Sequence, residues 1–269
     1  MYPTLFRIGE FEITTFGLFM FVAFIVASAV LAKTLRLYGI DRELASTLTV
    51  WGAIGGILGA KIYYAILFRD LSALFSRAGL VWYGGLIGGW IACSVVVLRR
   101  RLPYLTVTDA AAPALAIGYG IGRLACFFVG DDYGRPTSSV IGIAFPKGSP
   151  PTTAEALRAA GARVDPSLAP ETLLRVHPTQ LYEVAAGLTI FAILMWRQRR
   201  APQRGSQFGL FLILLGVERF LVEFVRVKDD RFFGPFTLAQ LISVILIVIG
   251  TSLMLRRASP PPVAAGAST

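Results

Sequence analysis

Seven apolar runs, each long enough to cross a bilayer, leave this chain little choice of fold. They cover residues 14–35, 45–68, 80–98, 107–129, 179–196, 208–225 and 236–255. A helix needs about 20 mostly apolar residues to traverse the hydrocarbon core, and in lipid the backbone must satisfy its own hydrogen bonds, which such runs do as helices. Composition agrees: 55% of the 269 residues are hydrophobic and 16% charged, with a mean hydropathy of +0.66, far from the balance of a soluble domain. The expected fold class is an all-α integral membrane protein with about seven transmembrane helices, a single polytopic domain over 1–269.

A net charge of +10 invites a nucleic-acid reading, which the positions of the basic residues argue against. Lys33, Arg36 and Arg42 follow the first run, Arg99 to Arg101 the third, Arg197, Arg199, Arg200 and Arg204 the fifth, and Arg256 and Arg257 the seventh. All fall on one side of the membrane and lack the interleaved stacking aromatics of a single-strand binder. By the positive-inside rule that side is cytoplasmic. The N-terminus and the loops after the second, fourth and sixth runs are then outside, and residues 258–269 form a cytoplasmic tail. Cys93 and Cys126 both sit in apolar runs and read as small buried hydrophobes rather than a disulfide pair. Residues 1–11 lack the pattern of a cleaved signal and read as an amphipathic lead at the outer interface.

Small residues dot the second run at Gly52, Gly55, Gly56, Gly59 and Ala60, the kind of ridge that lets membrane helices approach closely. The third opens Trp82-Tyr83-Gly84-Gly85, an aromatic pair at interface depth that reads first as a belt. Residues 130–178 turn to Pro, Gly, Ser and Thr with scattered charge. They are too polar to span and too long for an idle connection, so a small outward-facing head subdomain is expected between spans four and five, with one short helix over 154–162.

Three places put polar chemistry against apolar sequence. Arg123 sits in a glycine-dotted helix between Gly118 and Gly134, and a lone arginine there faces a cavity or a polar ligand rather than lipid; Gly120 and Gly122 leave room for a headgroup. His177, the only histidine, opens His177-Pro178-Thr179-Gln180-Leu181-Tyr182-Glu183, with Gln180 and Glu183 projecting along one helical face. Its pattern admits a structural or a site role. The sixth run carries Glu218, Arg219, Glu223 and Arg226; Arg219 and Glu223 are i,i+4 neighbours able to pair, either as a structural ion pair or with Arg219 joining Arg123 as two planar forks for one phosphate.

Four blocks, in order, resemble the bacterial prolipoprotein diacylglyceryl transferases. They are Tyr83-Gly84-Gly85-Leu86-Ile87-Gly88, Gly122-Arg123 through Gly134-Arg135, His177 through Glu183, and Arg219-Phe220 with Glu223-Phe224 and Arg226. The resemblance implies a seven-span bacterial inner-membrane enzyme. It would move the diacylglyceryl group of phosphatidylglycerol to the lipobox cysteine thiol of preprolipoproteins, releasing glycerol phosphate, with the lipid bilayer and those signal peptides as partners and no metal or cofactor. It assigns catalysis to His177, Arg219, Glu223 and Tyr83. Phosphatidylglycerol binding goes to Arg123, Arg219, Asp131, Gln180, Tyr182, Glu183 and Arg226. The chain departs from the family's usual residues at Phe16 (Tyr), Tyr83 (His), Cys126 and Val129 (Asn) and Asp131 (Glu). A phenol is mostly protonated at neutral pH and donates more readily than it accepts, so a phospholipid-binding paralogue that is non-catalytic or of altered specificity is the alternative reading.

Overall fold

The computed structural model describes residues 4–9, 11–69, 71–74, 81–200, 203–227, 231–233 and 236–256; the tail expected over 258–269 and the first three residues of the lead lie outside them. Strands β1 (Thr4–Ile8) and β2 (Phe11–Thr14) form an antiparallel hairpin, the structure that the lead's alternation of polar and apolar residues favours. Helices α1 (Thr15–Leu37), α2 (Leu44–Phe68), α3 (Trp82–Arg99) and α4 (Tyr104–Val129) follow. After short α5 (Ala154–Ala159) come α6 (Thr179–Gln198), α7 (Ser206–Val222), a small pair β3 (Arg231–Phe233) and β4 (Phe236–Thr237), and α8 (Leu238–Leu255).

Among the described residues six helices have the length and apolarity to span a membrane: α1, α2, α3, α4, α6 and α8. Their outer faces carry exposed Phe21, Ile25, Ile57, Trp90 and Val248, as lipid-facing surfaces do. The seventh, α7, has 17 residues and stops at Val222 rather than continuing to Val225 as the apolar run suggested. The chain leaves the helix there because Arg226 pairs across a β-bridge with Gly134, a tertiary contact that hydropathy does not register.

Close backbone approach organises the bundle. Helix α2 packs on α3: a Cβ on Gly55 would stand 2.6 Å from the carbonyl of Gly88, and one on Gly59 would stand 2.8 Å from the Gly88 Cα, so the expected ridge is a helix seam and Gly84 and Gly88 are its other half. Helix α4 is central, touching α1, α6 and α7, and α8 packs on α7. Gly120 of α4 lies against Gly187 of α6, whose Cβ would come within 3.0 Å of the Gly120 Cα. Gly120 therefore serves helix contact rather than leaving headgroup room.

Among the described residues the core forms three clusters. Leu31, Leu35, Leu44 and Val107 join α1, α2 and α4 at the basic end. Ala116, Ile190, Leu194 and Phe211 join α4, α6 and α7. Residues 130–178 wrap turns and α5 around Tyr133, Phe145, Leu157 and Val176, with Val227 from the segment after α7.

Candidate active site

The contact between Gly120 and Gly187 brings the C-terminal half of α4 beside the first turns of α6, and the last turn of α7 closes the third side. Along α4, Tyr119, Arg123 and Cys126 recur at helical spacing on one face. Gly130, at φ 75°, ends α4 in the left-handed region. Asp132 also takes positive φ, 54°, a conformation that Asp tolerates better than most residues, and from there its carboxylate faces inward.

The charged side chains close into a ring in which cation and anion alternate. Arg123 Nη1 meets Asp132 Oδ2 at 3.0 Å and Arg123 Nη2 meets Glu183 Oε1 at 3.3 Å. The same Glu183 oxygen lies 3.6 Å from Arg219 Nη1, and Arg219 Nη2 meets Glu223 Oε2 at 2.6 Å. Glu223 Oε2 lies 4.0 Å from Arg226 Nε, and Arg226 Nη2 returns to Asp132 Oδ1 at 2.8 Å. Glu183 is fully buried, whereas the Arg123 and Arg219 side chains are 18% and 24% exposed and Asp132 is 42% exposed. The ring thus has a sealed floor and an open rim. Arg219 Nη1 is buried and makes no hydrogen bond to the protein, its partner in the ring being the Glu183 carboxylate at ion-pair distance.

Below the ring, the Tyr119 hydroxyl lies 3.3 Å from Glu183 Oε1 and 3.2 Å from Glu218 Oε2, while the Arg123 guanidinium stands 5.4 Å over the Tyr119 ring centroid, within cation–π range. Above it, Thr179 Oγ1 donates to the Asp132 carbonyl at 2.7 Å and Gln180 Nε2 donates to the Asp131 carbonyl. These bonds fasten the loop after α4 onto the start of α6. The segment after α7 is held by the same loop: Arg135 N donates to the Val225 carbonyl at 2.8 Å and Arg135 Nε to that of Arg226 at 2.9 Å. Gly134 is required at this crossing, since a Cβ would stand 2.5 Å from the Val225 carbonyl and 2.8 Å from the His177 Cβ.

The two acidic neighbours at the rim behave in opposite ways. Burial alone would raise the Asp132 carboxyl, but the Arg226 and Arg123 guanidiniums outweigh it and hold the group below its ordinary value. Asp131 makes no ion pair in the ring; burial, and then the adjacent Asp132 charge, push it up. Cys126, Asp131 and Asp132 present three potential metal-ligand atoms within 4.8 Å. Arg123 already lies among them, 4.0 Å from the thiol and 3.0 Å from Asp132, so the cluster's negative charge has a cation of its own.

Of the residues singled out from sequence, Arg123, Glu183, Arg219, Glu223 and Arg226 meet in the ring, and Asp131 and Gln180 adjoin it. His177 and Tyr182 form a separate pair with Nδ1 and the phenol oxygen 3.1 Å apart; the His177 backbone is pinned to Gly134 and Arg135. Among the described residues Tyr83 has no hydrogen bond or ion pair with the ring, and its ring meets Trp82 edge-on. Tyr119, Asp132 and Glu218 carried no expected site role, although Glu218 stood among the charges of the sixth run. A carboxylate beside Arg219 in an apolar run was itself a signal for Glu218, and Tyr119 stands one turn before Arg123.

A family description, "Prolipoprotein diacylglyceryl transferase", matches residues 3–256. A protein of Xanthomonas campestris pv. campestris (strain B100), named "Phosphatidylglycerol--prolipoprotein diacylglyceryl transferase", is 33% identical over 280 residues, covering 96% of this chain and 92% of the relative. Proteins of the same name from Xanthomonas oryzae pv. oryzae (strain PXO99A) and Xanthomonas axonopodis pv. citri (strain 306) are 33% and 32% identical, each covering 94% of this chain and 90% of the relative. With the match running across nearly the whole chain and through every segment that builds the ring, this membrane protein belongs to the prolipoprotein diacylglyceryl transferase family.

Proposed function

We propose that this transferase moves the diacylglyceryl group of phosphatidylglycerol to the lipobox cysteine of a preprolipoprotein in a bacterial inner membrane. Its N-terminus, the ring and the head of residues 130–178 would lie outside, and its C-terminus would be cytoplasmic. The reaction forms one carbon–sulfur bond and breaks one carbon–oxygen bond: the thiolate attacks the glyceryl carbon, and the phosphate oxygen leaves with the electron pair as glycerol phosphate. The thiol proton must pass to a base, and the leaving phosphate gathers charge that fixed donors can stabilise.

The observation that carries this reading is the convergence of Arg123 and Arg219, both partly exposed, on one oxygen of the buried Glu183. Two guanidinium forks held this way match a phosphodiester and then its leaving form. Glu183 and Glu223 orient the forks, and Asp132 and Arg226 hold the rim. Asp131, Gln180 and Tyr182 are assigned to the lipid headgroup, and His177, paired with Tyr182, to the thiol. Tyr83, Cys126 and Phe16 depart from the family's usual residues and favour a second reading, a phospholipid-binding paralogue without this activity or with altered specificity.

The deciding experiment is transfer of a labelled diacylglyceryl group to a lipobox peptide, together with complementation of a transferase-depleted bacterium. The wild-type chain should do both, and Arg123→Ala should lose about 100-fold or more in transfer while inserting normally, the scale expected when one charge-stabilising donor is removed. Near-normal transfer by Arg123→Ala would remove Arg123 from the reaction, and no transfer by the wild type would favour the paralogue.

A further inference from the structure

At the opposite end of α1 from the ion-pair ring lies a groove of about 480 Å³ lined by Ala32, Lys33, Arg36, Leu37 and Arg42, a volume within the range of small-ligand sites. We propose that it binds the phosphate group of an anionic phospholipid in the leaflet facing the basic loops, a site separate from the one assigned to the transferred lipid.

The placement follows from the packing. Helices α1 and α4 run antiparallel: Gly122, beside Arg123, faces Met20, while Thr34 Oγ1 donates to the Ala110 carbonyl at 2.7 Å. Lys33 stands 13 residues beyond Met20, about 20 Å along the helix at roughly 1.5 Å per residue, which is most of the hydrocarbon thickness. A ligand in the groove therefore cannot be the one held by Arg123.

The walls are built on fixed elements. Leu35 and Leu44 are fully buried beneath them, and α1 ends with Gly39 at φ 70° and Ile40 N donating to the Leu35 carbonyl at 3.0 Å. That turn brings Arg42 back against the face carrying Lys33 and Arg36, which are three residues apart on the helix. Among the described residues none of the three cations makes an ion pair. The nearest acidic residues in sequence are Asp41 and Glu43, and the Asp41 carboxylate is engaged by the Glu43 backbone N at 3.0 Å.

A lipid suits this groove better than a free anion. Ile25 and Ala29 are exposed on the α1 face that carries Lys33 and Arg36, nearer the bilayer centre, giving an acyl chain an apolar path away from the cations. Basic pockets between membrane helices on this side are recognised sites for anionic headgroups, each cation near the surface adding several-fold to affinity.

The test uses the full chain in detergent, titrated with phosphatidylglycerol and read by native mass spectrometry, in an Arg123→Ala background that removes the phosphate ligand proposed for catalysis. One saturable lipid should remain bound. Adding Lys33→Gln, Arg36→Gln and Arg42→Gln together should weaken it about 100-fold, and Arg42→Gln alone about five-fold. Unchanged retention in either variant overturns the site, and the single exposed substitution decides the matter if the triple variant fails to fold. Inorganic phosphate at millimolar concentration should not displace the lipid; displacement would assign the groove to free phosphate. With Arg123 intact, the triple variant should keep its transfer rate, so loss of this site and failure of the proposed reaction give different results.

Discussion

Glu183 Oε1 lies 3.3 Å from Arg123 and 3.6 Å from Arg219, so one buried oxygen holds together two cations from different helices. Bringing two guanidinium groups this near each other inside a membrane protein is costly without an anion between them. Glu183 supplies that anion in the free protein, and a lipid phosphate would take over part of the task when bound.

The first consequence concerns Glu183→Gln. The amide keeps the volume and one acceptor but removes the charge, so the two arginines repel and the ring opens. Transfer should fall by about 10-fold or more, with weaker retention of the folded protein in detergent, since stranding buried charges costs about 3–5 kcal/mol. Transfer near the wild-type rate would mean that the arginine pair is organised by Asp132 and Glu223 alone.

Arg219 offers a test of geometry against charge. One fork nitrogen is 2.6 Å from Glu223 and the other 3.6 Å from Glu183, so the planar fork serves two carboxylates at once. Lysine keeps the charge and loses the planar fork, and Arg219→Lys should be nearly as damaging as Arg219→Ala. Glu223→Gln should cost less than either, because it loosens the fork without removing it. Full activity in Arg219→Lys would reduce the requirement to charge, and full activity in Arg219→Ala would take α7 out of the site. Folded yield measured beside labelled transfer separates these losses from misfolding.

The helices were legible because apolar length and the need to satisfy backbone groups in lipid are local properties. The end of α7 was not. Its apolar run continues through Phe224 and Val225, and the turn out of the helix after Val222 is set by the bridge between Arg226 and Gly134. The arginines stood out as charges in apolar runs, yet their pairing depends on three helices meeting, and of the ring contacts spacing could foresee only the local ones, Arg219 with Glu223 at i,i+4 and Glu223 with Arg226 at i,i+3. Gly120 shows the limit from the other side. A glycine beside an arginine looks like space for a ligand, and the space is filled by Gly187 of α6.

Asp131 and Asp132 should part in their response to pH. Asp132 is held below its ordinary value, so its ionised form stabilises the fold above that value and the contribution is lost as pH falls through the lower, folded pKa. Asp131 is raised, so its ionised form weakens the fold at neutral pH and the penalty disappears as pH falls toward the ordinary value near about 4. Melting of the detergent-solubilised protein should therefore show Asp132→Asn below wild type at about pH 7 and Asp131→Asn above it. On acidification the Asp131→Asn gap should close first, and the Asp132→Asn gap only below the ordinary carboxylate value. Gaps of the same sign would break the assignment of opposite environments.

At the other end of α4, Asp109 fixes the helix that delivers Arg219. Its side chain is fully buried and accepts hydrogen bonds from the Gly205 and Phe208 backbone N–H groups, the latter at 2.8 Å. Helix α7 has no side-chain cap of its own, since its N-cap is Gly205, and its first amides would otherwise be unsatisfied. Arg197 of α6 completes the clamp on Ser206 and Gln207 at 3.3 and 3.1 Å. The three helices that form the ring are thus locked together about 20 Å away along α4, at roughly 1.5 Å per residue. Asp109→Ala should lower the unfolding free energy by about 1–3 kcal/mol, the cost of leaving buried donors unpaired, while transfer per folded molecule stays close to wild type. Melting in detergent and single-turnover transfer on the same preparation make the comparison. A large loss of transfer with an unchanged melting temperature would show that Asp109 acts on the ring itself rather than on the stability of α7.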